Sequence, residues 1–407
     1  MRDTRDPLRA LDLIRPPDLR RRIRDEPRGP MIEPRRGRIG VAILAFVVAA
    51  GGIGFVIRAF GGQERPTPPA STVENGKIAF SGTRIWVVDP DGSGLTELTG
   101  GVATEEDFGP VWSPDGTRLA YSALMDDADA PGADYHVFVM NADGSDPSNL
   151  TPTTGGFAPS WSPDGSQLAY DAFQERTDRD IFVVDIETGR VRPVVESPLL
   201  DIGPSWSPDG GRIAFERWPV ADADTRDSDI YTVSPDGSGL TRLTGPGYDT
   251  EPTWSPDGSR LAFVSRRGGV RSIVVVEADG SGEVQVSRSA ATEASEPVWS
   301  PDGTRIAFQA FEGDGWDVWV ANADGTEQMA VTGGPGDELS PVWSPDGARI
   351  AFLTSEEPVE DLDLYVVNPD ATGLTKLAEG VPAGGGELSW QPVVVTRAVR
   401  SPTSVQG

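Results

Sequence analysis

Residues 254–258 read Trp-Ser-Pro-Asp-Gly, and the same five letters begin at Trp112, Trp161, Trp206, Trp299 and Trp343. The steps between copies are 49, 45, 48, 45 and 44 residues, the length of a four-stranded propeller blade. Ser-Pro-Asp-Gly is a turn: Pro presets φ, Asp bonds to the local backbone, and Gly accepts a positive φ. An apolar triplet follows each turn, as in Leu119-Ala120-Tyr121, Ile213-Ala214-Phe215 and Leu261-Ala262-Phe263. Trp therefore ends one strand, A, and the triplet opens its hairpin partner, B. The alternating, β-branched segment Asp229–Val233 predicts a third strand, C. After a second turn at Ser234–Gly237, the segment Leu240–Thr244 predicts a fourth, D.

The ends of the repeat region are out of phase. Gly76–Phe80 begins at strand B, whereas Leu388-Ser389-Trp390-Gln391-Pro392 reads as a strand A without its Asp-Gly turn. Each strand type then occurs seven times, and the orphan A can complete the unit begun at the N-terminus, which hides the sheet edges. The expected fold is all-β: a seven-bladed β-propeller of four-stranded antiparallel blades, closed by a C-terminal strand and preceded by one transmembrane helix. Trp112, Trp161, Trp206, Trp254, Trp299, Trp343 and Trp390 recur at one strand position. They are expected to pack between neighbouring blades rather than to stack on a ligand.

These W-S-P-D-G, I-A-F and D-G-S-G-L-T-x-L-T strings resemble the TolB-type (WD40-like) β-propeller repeat over about residues 74–392. The resemblance implies the propeller fold. It does not fix an activity, because such repeats serve periplasmic scaffolds, peptidase propellers and lyases alike.

Upstream, residues 39–57 carry no charge and span roughly 28 Å as a helix, close to a bilayer core. Twelve Arg and seven acids precede them, which places the N-terminus in the cytoplasm. A cleaved signal peptide is the alternative, though its apolar stretch and leader would both be long. The expected organisation is a basic cytoplasmic tail (1–38), a transmembrane helix (39–60), a Pro-rich linker (61–73), an extracytoplasmic propeller (74–392) and a C-terminal tail (393–407).

The chain carries a net charge of −28, no Cys and a single His. Residues 61–407 hold 56 acidic and 22 basic side chains, which argues against nucleic acid. No G-x-S-x-G elbow is present, and His136 alone can supply neither a triad partner network nor a His metal cluster. A propeller hydrolase or lyase is therefore disfavoured, no catalytic residue is assigned, and no organic cofactor is expected.

One pattern points to binding. A carboxylate stands five residues before Trp at Asp107, Asp201, Asp249 and Glu338, and three before Trp at Glu251, Glu296 and Glu387. The B–C loops are acidic too, as at Asp126, Asp127 and Asp129. In an A-B-C-D meander both connections emerge at one end, so these acids are expected to rim the channel mouth. The Trp161 repeat breaks the pattern with Gly155-Gly156-Phe157. Such a rim could hold a protein or peptide with a basic segment, or Ca2+. The expected function is a membrane-anchored scaffold that binds a protein or peptide on its acidic face. A transmembrane sensor that signals to the basic tail is the alternative.

Overall fold

A computed structural model describes residues 71–396, apart from 101–103, 105, 126–134, 174–177, 220–226, 267–268, 288–292, 312, 314, 334–335, 356–360 and 383–385. The expected tail 1–38 and transmembrane segment 39–60 lie outside the described residues. Among those described, no helix is long and apolar enough to cross a membrane.

One unit shows the plan. Glu293–Trp299 (A), Arg305–Phe311 (B), Trp316–Asn322 (C) and Met329–Ala330 (D) form an antiparallel sheet in the order A-B-C-D. The register sets Trp299 opposite Ile306 and Phe308 opposite Trp319. The other A strands are Glu106–Trp112, Phe157–Trp161, Leu200–Trp206, Asp249–Trp254, Asp337–Trp343 and Leu388–Thr396. Five units are separate four-stranded sheets, and the Trp161 and Trp206 units join through one parallel bridge, Arg179 to Leu200.

Leu388–Thr396 finds its B strand at the other end of the described residues. It pairs antiparallel with Ser71–Ser81, setting Trp390 opposite Ile78 and Ser71 opposite Thr396. The ladder thus runs past the expected boundaries at 74 and 392, taking in part of the linker and of the C-terminal tail.

The turns explain why the repeat is so constant. Ser255 Oγ donates to Asp257 Oδ1 at 2.6 Å, and the Ser259 N–H reaches the same oxygen at 3.0 Å. Ser255 Oγ in turn accepts the Arg260 N–H at 2.9 Å, while Gly258 takes φ 68°. The first of these bonds is the main reason the Asp257 carboxyl is held down at about 2.

The core lies between units. One cluster joins Ala262, Val264 and Val275 to Trp299, Ile306 and Phe308 of the next unit. Another joins Leu353 and Leu364 to Ile78, Phe80 and Trp390, so the last repeat packs on the first. The seven motif Trp side chains are only 4–9% exposed, and burying each contributes on the order of 2–3 kcal/mol. Several indoles also donate to the preceding A strand, as Trp254 Nε1 does to Ser205 O (3.1 Å) and Trp299 Nε1 to Thr253 O (3.1 Å). The Arg that opens the preceding B strand lies over the ring, for example Arg260 at 4.8 Å from the Trp299 centroid. Two polar links repeat the last-to-first contact: Asn75 Nδ2 to Asp346 Oδ2 (2.9 Å) and Arg349 Nη1 to Pro90 O (3.1 Å).

Candidate functional site

Strand A carries a bulge in six units. Its ladder to strand B slips just before Trp, for instance between Ser295 and Val298. At the slip the residue three before Trp is left-handed: Gly109, Ala158, Gly203, Glu251, Glu296 and Ser340, with φ between 50° and 63°. In the Trp390 unit Gly386 takes the positive φ instead, at 72°. A bulged residue leaves the ladder and frees its N–H. Here that N–H turns toward the preceding unit.

In five of the six a carboxylate or amide receives it. The Glu251 N–H donates to Glu216 Oε1 (2.8 Å), the Glu296 N–H to Glu251 Oε2 (2.6 Å), and the Ser340 N–H to Gln309 Oε1 (3.2 Å). The Glu296 carboxylate also accepts from Ser340. Earlier in the chain the Gly203 N–H reaches Asp171 Oδ1 (3.1 Å), and Glu387 accepts from Gly109. Glu216, Glu251 and Glu296 thus form a relay across successive interfaces. A left-handed non-Gly residue costs roughly 1–2 kcal/mol, which the charge-assisted bonds offset.

Crowding raises these carboxyls. Burial, with Glu251 and Asp171 adding negative charge, pushes Glu216 up to about 7 although the Glu251 N–H and Trp218 Nε1 donate to it. Burial and the neighbouring Glu251 charge push Glu296 to about 7. Glu251 and Glu387 are raised, mainly by burial. Glu387 keeps contact with solvent and accepts from Ser81 Oγ at 2.8 Å.

The acids five before Trp are placed differently, which corrects the expectation that they rim the mouth. Asp107, Asp201 and Asp249 are fully buried, and Glu338 is 8% exposed. Asp201 is gripped by Arg217 through Nε (2.6 Å) and Nη2 (2.8 Å), and Asp107 by Arg84 (3.2 Å). The Asp249 N–H and the Ser228 carbonyl bond at 2.8 Å. Glu338 lies against Asp317 and Thr332; burial first, then Asp317, raises it to about 8. Residues five and three before Trp would share a face in a regular strand. The residue three before Trp is itself left-handed and turns the chain, so the structure brings Glu251 and Glu296 together with Glu216 and leaves Asp107 and Asp201 paired with Arg84 and Arg217.

The TolB beta propeller domain family, PD40, matches residues 117–296 and 271–393. The chain belongs to the TolB β-propeller family. No curated protein sequence matches it. Among solved structures, TolB from Acinetobacter baumannii is 20% identical with a TM-score of 0.52, covering 80% of this chain and 83% of that one. A puromycin-hydrolyzing peptidase from Mycobacterium tuberculosis is 14% identical with a TM-score of 0.55, covering 76% and 54%. An oligogalacturonate lyase from Vibrio parahaemolyticus is 16% identical with a TM-score of 0.53, covering 76% and 86%. At these identities the likeness is one of fold.

Sequence reasoning about this TolB-type propeller missed the B-strand half of the relay. Asp171, Glu216 and Gln309 each follow the apolar triplet, in Leu-Ala-Tyr-Asp, Ile-Ala-Phe-Glu and Ile-Ala-Phe-Gln. A polar residue at the end of a buried triplet, at one repeat position, was the available signal. His136 is 4% exposed, and its Nδ1 lies 2.8 Å from Thr151 O, a structural placement. Among the described residues no group of three or more His, Cys, Asp or Glu is arranged to hold a metal ion.

Aromatic side chains stand at the same end of this TolB-type sheet set. Phe108, Tyr135, Phe157 and Phe173 form a continuous row with centroid steps of 5.4, 4.9 and 5.9 Å. Trp218 packs on Tyr248 (5.3 Å) and Phe311 on Trp316 (5.7 Å). At the opposite end, a groove of about 690 Å³ between Pro256 and Pro301 is lined by Asp257, Asp302 and Asp324. Those carboxylates are already bonded within their own turns, so the groove offers little to a ligand.

Proposed function

We propose that this chain is a membrane-anchored, extracytoplasmic seven-bladed propeller, closed by its C-terminal strand, that binds a protein or peptide through its acidic end. The pairing of Leu388–Thr396 with Ser71–Ser81 and the shared core of the last and first repeats support the closed ring. The observation that carries the binding reading is the relay Glu216–Glu251–Glu296 with Glu387 at the same end. These carboxylates are held by backbone N–H groups and are short of cations: Arg271 is the basic group that acts on Glu251, and its own Nε is bonded to Glu293 at 2.6 Å. A basic segment would supply the missing positive charge. A non-enzymatic role fits the single, structurally placed His136. Propeller peptidases and a lyase share the fold.

The test uses the full-length chain in detergent micelles and a fluorescent Lys-rich peptide. Replacing Glu251, Glu296 and Glu387 together with Gln is expected to weaken binding by about tenfold or more and to flatten its salt dependence. Unchanged affinity would move the binding face elsewhere. Calcium is titrated in parallel: a melting-temperature rise that the triple substitution abolishes would make the cation the occupant instead. Anchoring through 39–57 rests on that uncharged stretch and the Arg excess before it. Alkaline carbonate extraction should leave the protein in the pellet with its N-terminus intact, whereas release of a chain starting near Gly61 would establish a cleaved leader.

A further inference from the structure

The acidic end is not uniform around the ring. In the Trp161 unit the two carboxylate positions before Trp are Gly156 and Ala158. Gly156 has no room for a side chain, because a Cβ there would meet the Tyr170 ring at 2.6 Å. The sector is filled by the row Phe108, Tyr135, Phe157 and Phe173, all half-buried rather than enclosed. Arg179 lies over Phe157 (4.2 Å) and Phe173 (5.4 Å) and pairs with Asp171, so it brings no net charge to the row. That stack also demonstrates that these ring faces accept a guanidinium.

The row adjoins the carboxylates directly. Phe108 precedes Gly109, whose N–H is bonded by Glu387, and Asp171 begins the B-strand acids on the other side. The B strand of the Trp112 unit lacks the polar link seen in other units. Ser122 Oγ is fully buried with no hydrogen-bond partner among the described residues. It occupies the strand position from which Asp171, Glu216 and Gln309 reach the next unit's backbone. In this sector that reach is left open.

We infer that the acidic end recognises an extended peptide in which a bulky apolar side chain neighbours a basic one. The apolar group seats on the Phe108–Tyr135–Phe157–Phe173 row. The basic group meets Glu387 and the Glu251–Glu296 carboxylates. Complementary charge chooses the cation, and the aromatic sector chooses its neighbour, so the pair of features specifies more than either alone. This inference rests on the acidic-face reading above and narrows it.

The experiment compares two ten-residue fluorescent peptides on the full-length chain in detergent. Both carry three Lys spaced by Gly and Ser; one also carries Phe beside the central Lys. The Phe-bearing peptide is expected to bind at least about tenfold tighter. Phe157→Leu, which keeps apolar bulk but removes the ring, is expected to erase most of that preference. Equal affinity of the two peptides for the unaltered protein overturns this inference while leaving the acidic-face reading intact, and needs no variant to fold. Binding of neither peptide overturns both.

Discussion

Acidifying the protein from pH 8 to pH 5 is expected to raise its melting temperature by several degrees. In the folded state Glu216 and Glu296 are pushed to about 7, Glu338 to about 8 and Asp171 to about 6, against ordinary values of 4.5 for Glu and 3.8 for Asp. Between the unfolded and folded values the native state binds more protons than the unfolded chain, so stability falls as pH rises through that window and is level above it. For the 8%-exposed Glu216 alone the effect is on the order of 3 kcal/mol. The groups that face it are Glu251 and Asp171, both negative, and the groups that face Glu296 are Glu251 and Glu387. The sign reverses at lower pH. Asp257 and Asp302 are held down at about 2 by their turn hydroxyls, so their contribution is present above the unfolded value and is lost as pH falls toward 2. Melting temperature should therefore peak near pH 5. Scanning calorimetry across pH 3–9 reads this directly, and Glu296→Gln should reduce the slope between pH 5 and 8. A melting temperature that is flat or rising over that interval would refute the assigned crowding.

Removing residues 388–407 is expected to abolish cooperative unfolding. The cut deletes Trp390 and the strand opposite Ile78–Phe80, uncovering a cluster that includes Leu353, Leu362 and Leu364. It also exposes the Ser71–Ser81 strand as an unpaired edge, a template for association. Truncating a buried Trp alone typically costs 3–5 kcal/mol, so Trp390→Ala is the milder version, expected to lower the urea midpoint without removing the transition. Size-exclusion chromatography and urea unfolding followed by Trp fluorescence test both. A truncated chain that stays monomeric and unfolds like the full one would remove the case for a closed ring.

The framework was legible because it is written many times. A five-letter turn and an apolar triplet recurred at constant spacing, and the orphan Leu388–Pro392 segment gave away its partner by phase alone. Strand D was less legible: Leu240–Thr244 was expected, and Thr241–Arg242 is paired, since a two-residue exposed strand leaves almost no pattern. The carboxylates were visible as residues but not as a geometry. Gly109 and Gly203 permit a left-handed turn, but Glu251, Glu296 and Ser340 adopt it against their own preference, and no local signal announces that. Which acids became buried partners of Arg84 and Arg217, and which became links between units, was decided by that single backbone choice.

The pairing of Ser71 with Thr396 has a mechanical meaning. The two strands are antiparallel, and their outer ends lie at the same end of the ladder. A pull applied between the chain's two ends therefore loads one hydrogen-bonded pair at a time, opening the ladder as a zipper rather than shearing it as a whole. Neighbouring repeats share broad apolar clusters, yet tension across this ladder meets a single seam.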